Sequence, residues 1–351
     1  MGKHIVFVGA GAVGGYVGAH LARAGEDISL VDPWPEHVAA INRDGMHLGG
    51  SQGEHVVRVR ALHVGEVQSF TRKPVDIAII CTKSYDTEWA ALMIKQYLAP
   101  QGYLVSMQNG VNEERIARVA GWGRTVGCII STISVNCYQP AHISRYQEPG
   151  ATTRHTVFRV GEVHGRVTAR ATELAGILGA VDRAAVTQNL WGERWTKLTA
   201  NTITHGILGA TGLDNRTVYV ERGHAHRLGV KLAAEAIAVG RAQGYELGTI
   251  LGIQPDDWLG ARRADPAALK KVQDGLAAWM ATLLEPSQSS VGRDVARGRR
   301  SEIDFTNGLV AEKGEEVGVP APTHAALTAL VRRIDAGKLK PGPENIAGIP
   351  A

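Results

Sequence analysis

Two sets of residues in this chain have the types and spacing for chemistry. The first is Gly9-Ala10-Gly11-Ala12-Val13-Gly14, set between an apolar run at 5–8 and a segment with Val13, Val17 and Leu21 at helical spacing. Strand, tight turn and helix in that order hold a dinucleotide pyrophosphate. The first glycine permits the turn, the second lets the backbone approach the phosphates, and the third brings helix against strand. The N–H groups at the helix start then face the anion. Buried glycine-rich turns without a ligand also occur, but here both flanks meet the context that the motif requires. The second set is Lys197, Asn201 and His205, at i, i+4 and i+8 and therefore on one helix face. A polar stripe is ordinarily the wet side of a helix. This one offers an ammonium, an amide and an imidazole within an otherwise apolar, small-residue segment.

The elements that must position the first set read as an open parallel sheet. A strand over 27–31 ends at Asp32, close to the distance after the glycines at which an acidic side chain accepts hydrogen bonds from the adenosine ribose. A carboxylate there repels a 2′-phosphate, so Asp32 argues for NAD over NADP; the competing reading is a turn aspartate before Pro33. Residues 75–81 form the continuous apolar run of a strand buried on both faces, ending in Thr82-Lys83-Ser84. After a helix to about residue 97 and a turn at 100–102, a strand over 103–107 ends in Gln108-Asn109-Gly110. Ligands of such sheets sit beyond the carboxyl ends of the strands. Gly9 to Gly14, Asp32, Lys83 and Asn109 should therefore line one groove, although a lysine or asparagine at a strand end is as readily a solvated charge or a helix cap. Residues 34–73 hold a polar helix and strand-like pieces around 55–59. An apolar strand over 127–135 and antiparallel strands within 141–160, turning at Pro149-Gly150, make the far edge, which a helix over 167–178 and a short strand near 181 close.

From residue 188 the pattern is almost wholly helical, with helices expected over 190–205, 218–243, 267–284, 291–298, 302–317 and 323–336. The domains are accordingly 1–187 for the dinucleotide, 188–335 for substrate, and 336–351, a Pro- and Gly-rich tail expected to be extended or disordered. The 351 residues suffice for two cores, and the net charge of +4 comes without a dense basic run interleaved with aromatics, so nucleic acid is not an expected partner. No apolar run reaches the roughly 18–20 residues that span a bilayer, and the N-terminal run leads straight into the glycine turn rather than into a cleavage site. Neither a membrane nor a secretory route is expected. The three cysteines, Cys81, Cys128 and Cys137, lack metal-ligand spacing and read as reduced thiols of a cytoplasmic protein. His224 and His226, two apart, point to different helix faces, so no metal is expected.

The chain resembles the 2-dehydropantoate 2-reductase (ketopantoate reductase) family over about residues 3–335. The matching pieces, in order, are Gly9 to Gly14, Thr82-Lys83-Ser84, Gln108-Asn109-Gly110, Trp195-Thr196-Lys197-Leu198-Thr199-Ala200-Asn201, Ser289-Ser290, Arg300 to Phe305 with Asn307-Gly308, and Gly318 to Pro322. The resemblance implies an α/β fold: an N-terminal doubly wound Rossmann sheet followed by an all-helical C-terminal domain like that of 6-phosphogluconate dehydrogenase, with the active site in the cleft between them. It implies hydride transfer between a nicotinamide and the carbonyl carbon of a 2-oxo acid, in a homodimer. Lys197 would be the general acid, Glu302 would hydrogen-bond around the reacting oxygen, Asn109, Asn201 and Ser290 would hold substrate, and Lys83 would lie near the cofactor. Those roles make chemical sense. An ammonium aimed at a carbonyl that is accepting hydride stabilises the developing alkoxide and supplies its proton, and a nearby carboxylate opposes the loss of charge that burial favours. By itself Glu302 also reads as a first-turn helix carboxylate favoured by the macrodipole.

Three departures stand out. Relatives that serve pantothenate synthesis usually take NADP and carry a basic residue where this chain has Asp32. They tend to have a second asparagine where it has His205, a larger group that titrates near neutrality, so His205 joins the expected substrate contacts. Val291-Gly292-Arg293 also differs from the usual apolar residue after Ser290. The expectation is an NAD(H)-dependent oxidoreductase of this family acting on a secondary alcohol or 2-hydroxy acid not restricted to pantoate. The alternatives are ketopantoate reductase itself and, from another class, a non-enzymatic dinucleotide sensor, which would keep the glycines and lose Lys197 or Glu302.

Overall fold

The structure, a computed structural model, describes residues 2–283 and 286–351. They form two compact units, Met1–Leu190 and Trp191–Ala351. Among the described residues the first unit contains twelve strands: β1 (His4–Val8), β2 (Asp27–Asp32), β3 (Met46–Gly50), β4 (His55–Val57), β5 (Arg60–His63), β6 (Val75–Ile80), β7 (Leu98–Ser106), β8 (Thr125–Ile130), β9 (Val135–Gln139), β10 (His142–Arg145), β11 (Phe158–Glu162) and β12 (Ala184–Thr187). Its helices are α1 (Ala12–Arg23), α2 (Pro35–Asp44), α3 (Thr87–Lys95), α4 (Glu113–Ala120), the single turn α5 (Gly150–Thr153) and α6 (Ala169–Leu178).

Eight strands make one sheet in the order β12-β11-β8-β7-β6-β1-β2-β5, parallel except where β11 runs against β8. The chain leaves β1 towards β2 on one side and returns to β6 on the other, so the order reverses at β1/β6, where such sheets bind ligands. Strand β1 shows why its sequence is apolar throughout. Ile5 and Phe7 point into a core with Val17 and Leu21 of α1, while Val6 and Val8 point into another with Ala90 and Ile94 of α3 and Ile116 of α4.

The antiparallel region expected at the far edge divides in two. β11 does lie there, but β9 and β10 join β3 and β4 in a separate four-stranded sheet, β4-β3-β10-β9. The reason is the surface of α1. A Cβ added to Gly15 would come within 2.6 Å of Ile143 and 3.0 Å of Met46, so the glycine face of the helix accepts a second layer at close range. That layer is also pinned by a fully buried ion pair, Arg145 to Asp182 at 2.6 Å, with the Asp182 carboxylate accepting the Gly150 N–H as well. The final strand forms at Ala184–Thr187 rather than near residue 181.

The second unit is built along α7 (Leu190–Thr211), which begins at the last residue of the first. It continues with α8 (Asn215–Tyr219), α9 (His224–Ala242), α10 (Pro255–Arg262), α11 (Pro266–Ala281), α12 (Ser290–Ala296), α13 (Asn307–Glu316) and α14 (Pro322–Asp335). α7 and α9 approach closely at Gly240, whose added Cβ would meet the Trp195 ring at 2.3 Å, and the Trp195 indole donates to the Ala236 carbonyl at 2.7 Å. The helix expected over 218–243 is two helices, separated where Arg222 takes a left-handed φ of 52°. The helix expected from residue 302 opens instead as a 3-10 turn, Ile303–Phe305, and α13 starts only at Asn307. The expected helix end at Leu284 lies outside the described residues. α10 has no counterpart in the expectations, although Pro255 at its first position and Asp256 and Asp257 in its first turn are ordinary start signals.

The tail corrects another expectation. Residues 336–351 are packed: Ile346 and Ile349 are buried in the helical core. Asn345 and Gly342 donate to the Ala210 carbonyl at the end of α7, Lys231 donates to Pro350, and His224 bonds the Ile346 carbonyl. Its prolines and glycines shape a turn that two isoleucines anchor.

Candidate functional site

In the first unit the functional geometry centres on the turn after β1. Gly9 has φ +98°, and an added Cβ would stand 2.9 Å from the Cys81 and Thr82 backbone; at Gly14 it would stand 2.0 Å from the Gly9 carbonyl. Both glycines are therefore required by the packing of the chain on itself. Gly11 differs, because an added Cβ there meets nothing within 4 Å, and its backbone (φ −65°, ψ −158°) suits any residue. A small residue that the protein's own packing does not demand fits a turn whose outer side is approached by another molecule, as a dinucleotide pyrophosphate would approach it.

Ala10, between these glycines, is held at both ends. Its N–H donates to Asp32 Oδ2 at 2.8 Å, and its carbonyl meets His37 Nε2 at 2.9 Å. The second oxygen of Asp32 accepts the Trp34 N–H at 3.0 Å. Asp32 is thus a turn aspartate and also a half-buried carboxylate at the tip of β2 beside the glycine turn. The two readings describe one residue, because each carboxylate oxygen has a second lone pair. His37, 1% exposed, is stacked under Trp34 with ring centroids 5.2 Å apart and planes 8° apart.

The tips of β6 and β7 are tied together. Gln108 Nε2 donates to the Thr82 carbonyl and to Thr87 Oγ1, each at 2.9 Å. The Asn109 carbonyl accepts from Asn112 Nδ2 at 2.8 Å and from Ser84 Oγ at 3.3 Å. Lys83, half-buried, is the residue before the 3-10 turn Ser84–Asp86. The Gly9 contacts with Cys81 and Thr82 join this bonded corner to the glycine turn.

In the second unit Lys197, Asn201 and His205 lie along α7; the first two are half-buried and His205 is 5% exposed. Ser290, the first residue of α12, meets His205 Nε2 at 3.4 Å, so the structure brings these two predicted residues together. The divergent residues after Ser290 have a packing role: Val291 is buried and reaches the spot beside Gly209 of α7, 2.7 Å from where a Cβ would stand. Glu302 is 4% exposed and precedes a three-residue 3-10 turn, five residues ahead of α13, so the first-turn macrodipole account does not apply to it. The segment beyond it is fastened to α7 through Asn307, whose Nδ2 donates to the Thr202 carbonyl at 3.2 Å and to His324 Nδ1 at 3.2 Å. His324 in turn donates from Nε2 to Leu232 at 3.0 Å, and burial depresses its pKa to about 4, so the ring is neutral.

Sequence reasoning did not single out His37, Asn112 or His324. The partners of His37 lie 27 and 104 residues away, at Ala10 and Ala141, and those of His324 at Asn307 and Leu232, so no local pattern marks either. Asn112, next to a matched motif, carried a weak signal as a helix-start residue before Glu113.

Comparisons with known proteins show the family and the fold. The family model described as ketopantoate reductase PanE/ApbA matches residues 5–157, and its C-terminal counterpart matches residues 189–335. A 2-dehydropantoate 2-reductase of Archaeoglobus fulgidus is 28% identical over 340 residues, covering 95% of this chain and 99% of that protein. The crystal structure of a PanE/ApbA family ketopantoate reductase from Ralstonia eutropha JMP134 is 27% identical and superposes with a TM-score of 0.77, over 95% of this chain and 99% of that one. D-Mandelate dehydrogenase, in a ternary structure with NADH and anilino(oxo)acetate, shares the fold at a TM-score of 0.78 and 19% identity, over 95% and 99% of the two chains. A glycine turn at the β1/β6 reversal, a helical second unit carrying the lysine-asparagine stripe, and family matches over both halves together establish that this chain belongs to the ketopantoate reductase family, whose members are nicotinamide-dependent oxidoreductases acting on CH–OH groups.

Proposed function

We propose that this protein is an NAD(H)-dependent oxidoreductase interconverting a 2-hydroxy acid or related secondary alcohol and its ketone, with a substrate range not confined to pantoate. The observation that carries the choice of cofactor is the Asp32 carboxylate, 2.8 Å from the Ala10 N–H of the glycine turn. It stands where a ribose hydroxyl finds an acceptor and a 2′-phosphate finds a like charge. The turn from Gly9 to Gly14 holds the pyrophosphate, with Ala10, Ala12 and Val13 contributing backbone, and Lys83 and Asn109 lie at the neighbouring strand tips. A bound nicotinamide supplies or accepts the hydride. Lys197, protonated, gives its proton to the oxygen as a carbonyl is reduced; in the oxidative direction it must be neutral and take the hydroxyl proton. Glu302 steadies the ammonium and the reacting oxygen. Asn201 and Ser290 donate to the substrate carboxylate without competing as bases, Asn109 is a further substrate contact by family resemblance, and His205, paired with Ser290, joins the substrate contacts.

The second reading, reduction of ketopantoate itself, is favoured by the relatives that carry that name. The occurrence of NADH in D-mandelate dehydrogenase, on the same fold, favours the first. By family resemblance we further propose a cytoplasmic homodimer. A panel of 2-oxo acids, ketopantoate and aromatic 2-oxo acids included, is assayed with NADH and with NADPH. The proposal expects turnover with NADH on acids other than ketopantoate. Activity confined to ketopantoate with NADPH would replace it by the second reading.

A further inference from the structure

The strongest unexplained group outside the catalytic set is His37. It is buried in α2 and makes two backbone hydrogen bonds to distant parts of the chain. Ala141 N–H donates to Nδ1 at 3.0 Å, and Ala10 O lies 2.9 Å from Nε2. An amide N–H is always a donor, so Nδ1 is the bare nitrogen. Nε2 therefore carries the proton and donates to Ala10. The ring is held in one orientation by its two partners, and the stacked Trp34 covers it.

The consequence lies in the peptide that His37 holds. In a trans peptide the C=O and the following N–H point in opposite directions. Drawing the Ala10 carbonyl towards His37 thus turns the Gly11 N–H the other way, to the side where an added Gly11 Cβ meets nothing. Asp32 fixes the preceding N–H of the same residue. One carboxylate and one imidazole therefore clamp both sides of Ala10 and set the plane of the amide that opens the turn. The turn between β9 and β10, through Ala141, becomes part of the support of the dinucleotide site; Ala141 has φ +59° and accepts the His47 N–H at 2.8 Å, which locks it to β3.

From this geometry we infer that His37 is a positioning residue for the cofactor, acting through its Nε2–H bond to Ala10 to aim the Gly11 N–H at the pyrophosphate. The inference rests on the dinucleotide reading of the turn. Two variants separate it from a role in stability alone. His37→Gln keeps a donor near the Nε2 position, and His37→Asn keeps an acceptor near the Nδ1 position, so each retains one of the two bonds. NADH affinity is measured by fluorescence titration, kcat at saturating NADH, and thermal unfolding for each variant.

The expected result is that His37→Asn raises the NADH Kd about tenfold, the scale of one lost or misaligned hydrogen bond, while His37→Gln stays within about threefold of the parent. With the Gly11 amide affecting binding and not the chemical step, kcat at saturation stays the same for both. Equal affinities in the two variants, with wild-type NADH binding intact, would overturn the role of His37 and leave the dinucleotide reading standing. Wild-type protein that binds neither NADH nor NADPH would overturn both.

Discussion

Replacement of Asp32 by asparagine tests the cofactor assignment most directly, because it removes a charge while keeping size and one acceptor. In the structure the carboxylate has two jobs. It accepts the Ala10 N–H at 2.8 Å and the Trp34 N–H at 3.0 Å, and it presents its remaining lone pairs beside the glycine turn. Asparagine keeps one of the two internal bonds, weaker for want of the charge, and loses the other because its amide nitrogen cannot accept, together a cost of about 1–3 kcal/mol. That loss disturbs the turn for NADH and NADPH alike, so it cancels in the ratio of their kcat/KM values. What does not cancel is repulsion of the 2′-phosphate. Two unit charges 4 Å apart repel by about 1 kcal/mol even at the dielectric constant of water, so a phosphate of charge near −2 is disfavoured by about 2 kcal/mol at least. The kcat/KM preference for NADH should therefore fall by roughly 30-fold or more in Asp32→Asn, through the KM for NADPH. The assay is initial rate against each cofactor at saturating substrate. A ratio that moves by less than about threefold, or a wild-type enzyme that prefers NADPH, refutes the argument.

Other expectations follow from distances already given. Gly14→Ala puts a methyl 2.0 Å from the Gly9 carbonyl, and a backbone clash of that size should destabilise the first unit by about 3 kcal/mol or more, read as a lowered unfolding midpoint. Gly11→Ala meets no protein atom, so its unfolding midpoint should match the parent while its NADH affinity falls at least about tenfold; a change in both together would mean that the methyl is felt by the protein and not by a ligand. Lys197→Ala should lower kcat by about 10²- to 10⁴-fold with the NADH Kd unchanged, and unaltered turnover removes the assigned proton donor. The buried His324 has its pKa lowered from 6.5 to about 4 by desolvation, so between those values the unfolded chain binds a proton that the folded chain refuses. Stability from this residue is thus complete above pH 6.5 and declines by about 3 kcal/mol as pH falls towards 4. Urea midpoints measured from pH 7.5 to 4.5 should show a shallower acid slope in His324→Leu than in the parent, although that variant starts lower for want of the Asn307 and Leu232 bonds.

The parts of the fold that could be read from the chain are those whose cause is local. The strand-turn-helix at Gly9 to Gly14 and the buried run at 75–80 announce themselves because burial on both faces demands uninterrupted apolar side chains. The stripe on α7 follows from helical spacing alone. Errors came where distant packing decides. Nothing near residues 141–145 says that β10 will leave the main sheet; the cause is the bare surface of α1 at Gly15, more than a hundred residues earlier. The prolines and glycines of the tail point to an extended end, and composition hides the two isoleucines that are buried in the helical core. In the candidate site, residue types and motif order pointed to Asp32, Lys197 and Glu302. His37 was invisible because its meaning depends on backbone atoms of Ala10 and Ala141, which every sequence contains.

The placement of Lys197, Asn201 and His205 on a single unbroken helix also turns α7 into a measuring rod. At about 1.5 Å of rise per residue the three stand at roughly 0, 6 and 12 Å along its axis. If they act as the proposed proton donor, polar anchor and terminal contact, their spacing is fixed by helical pitch, which no loop rearrangement can stretch. Under the proposed roles, ligand length would be gauged against this rod, and its graduations would be erased or rewritten only by exchanging side chains. Diversification of substrate preference on this scaffold would therefore advance in helical steps, with His205 the mark at the long end of the scale.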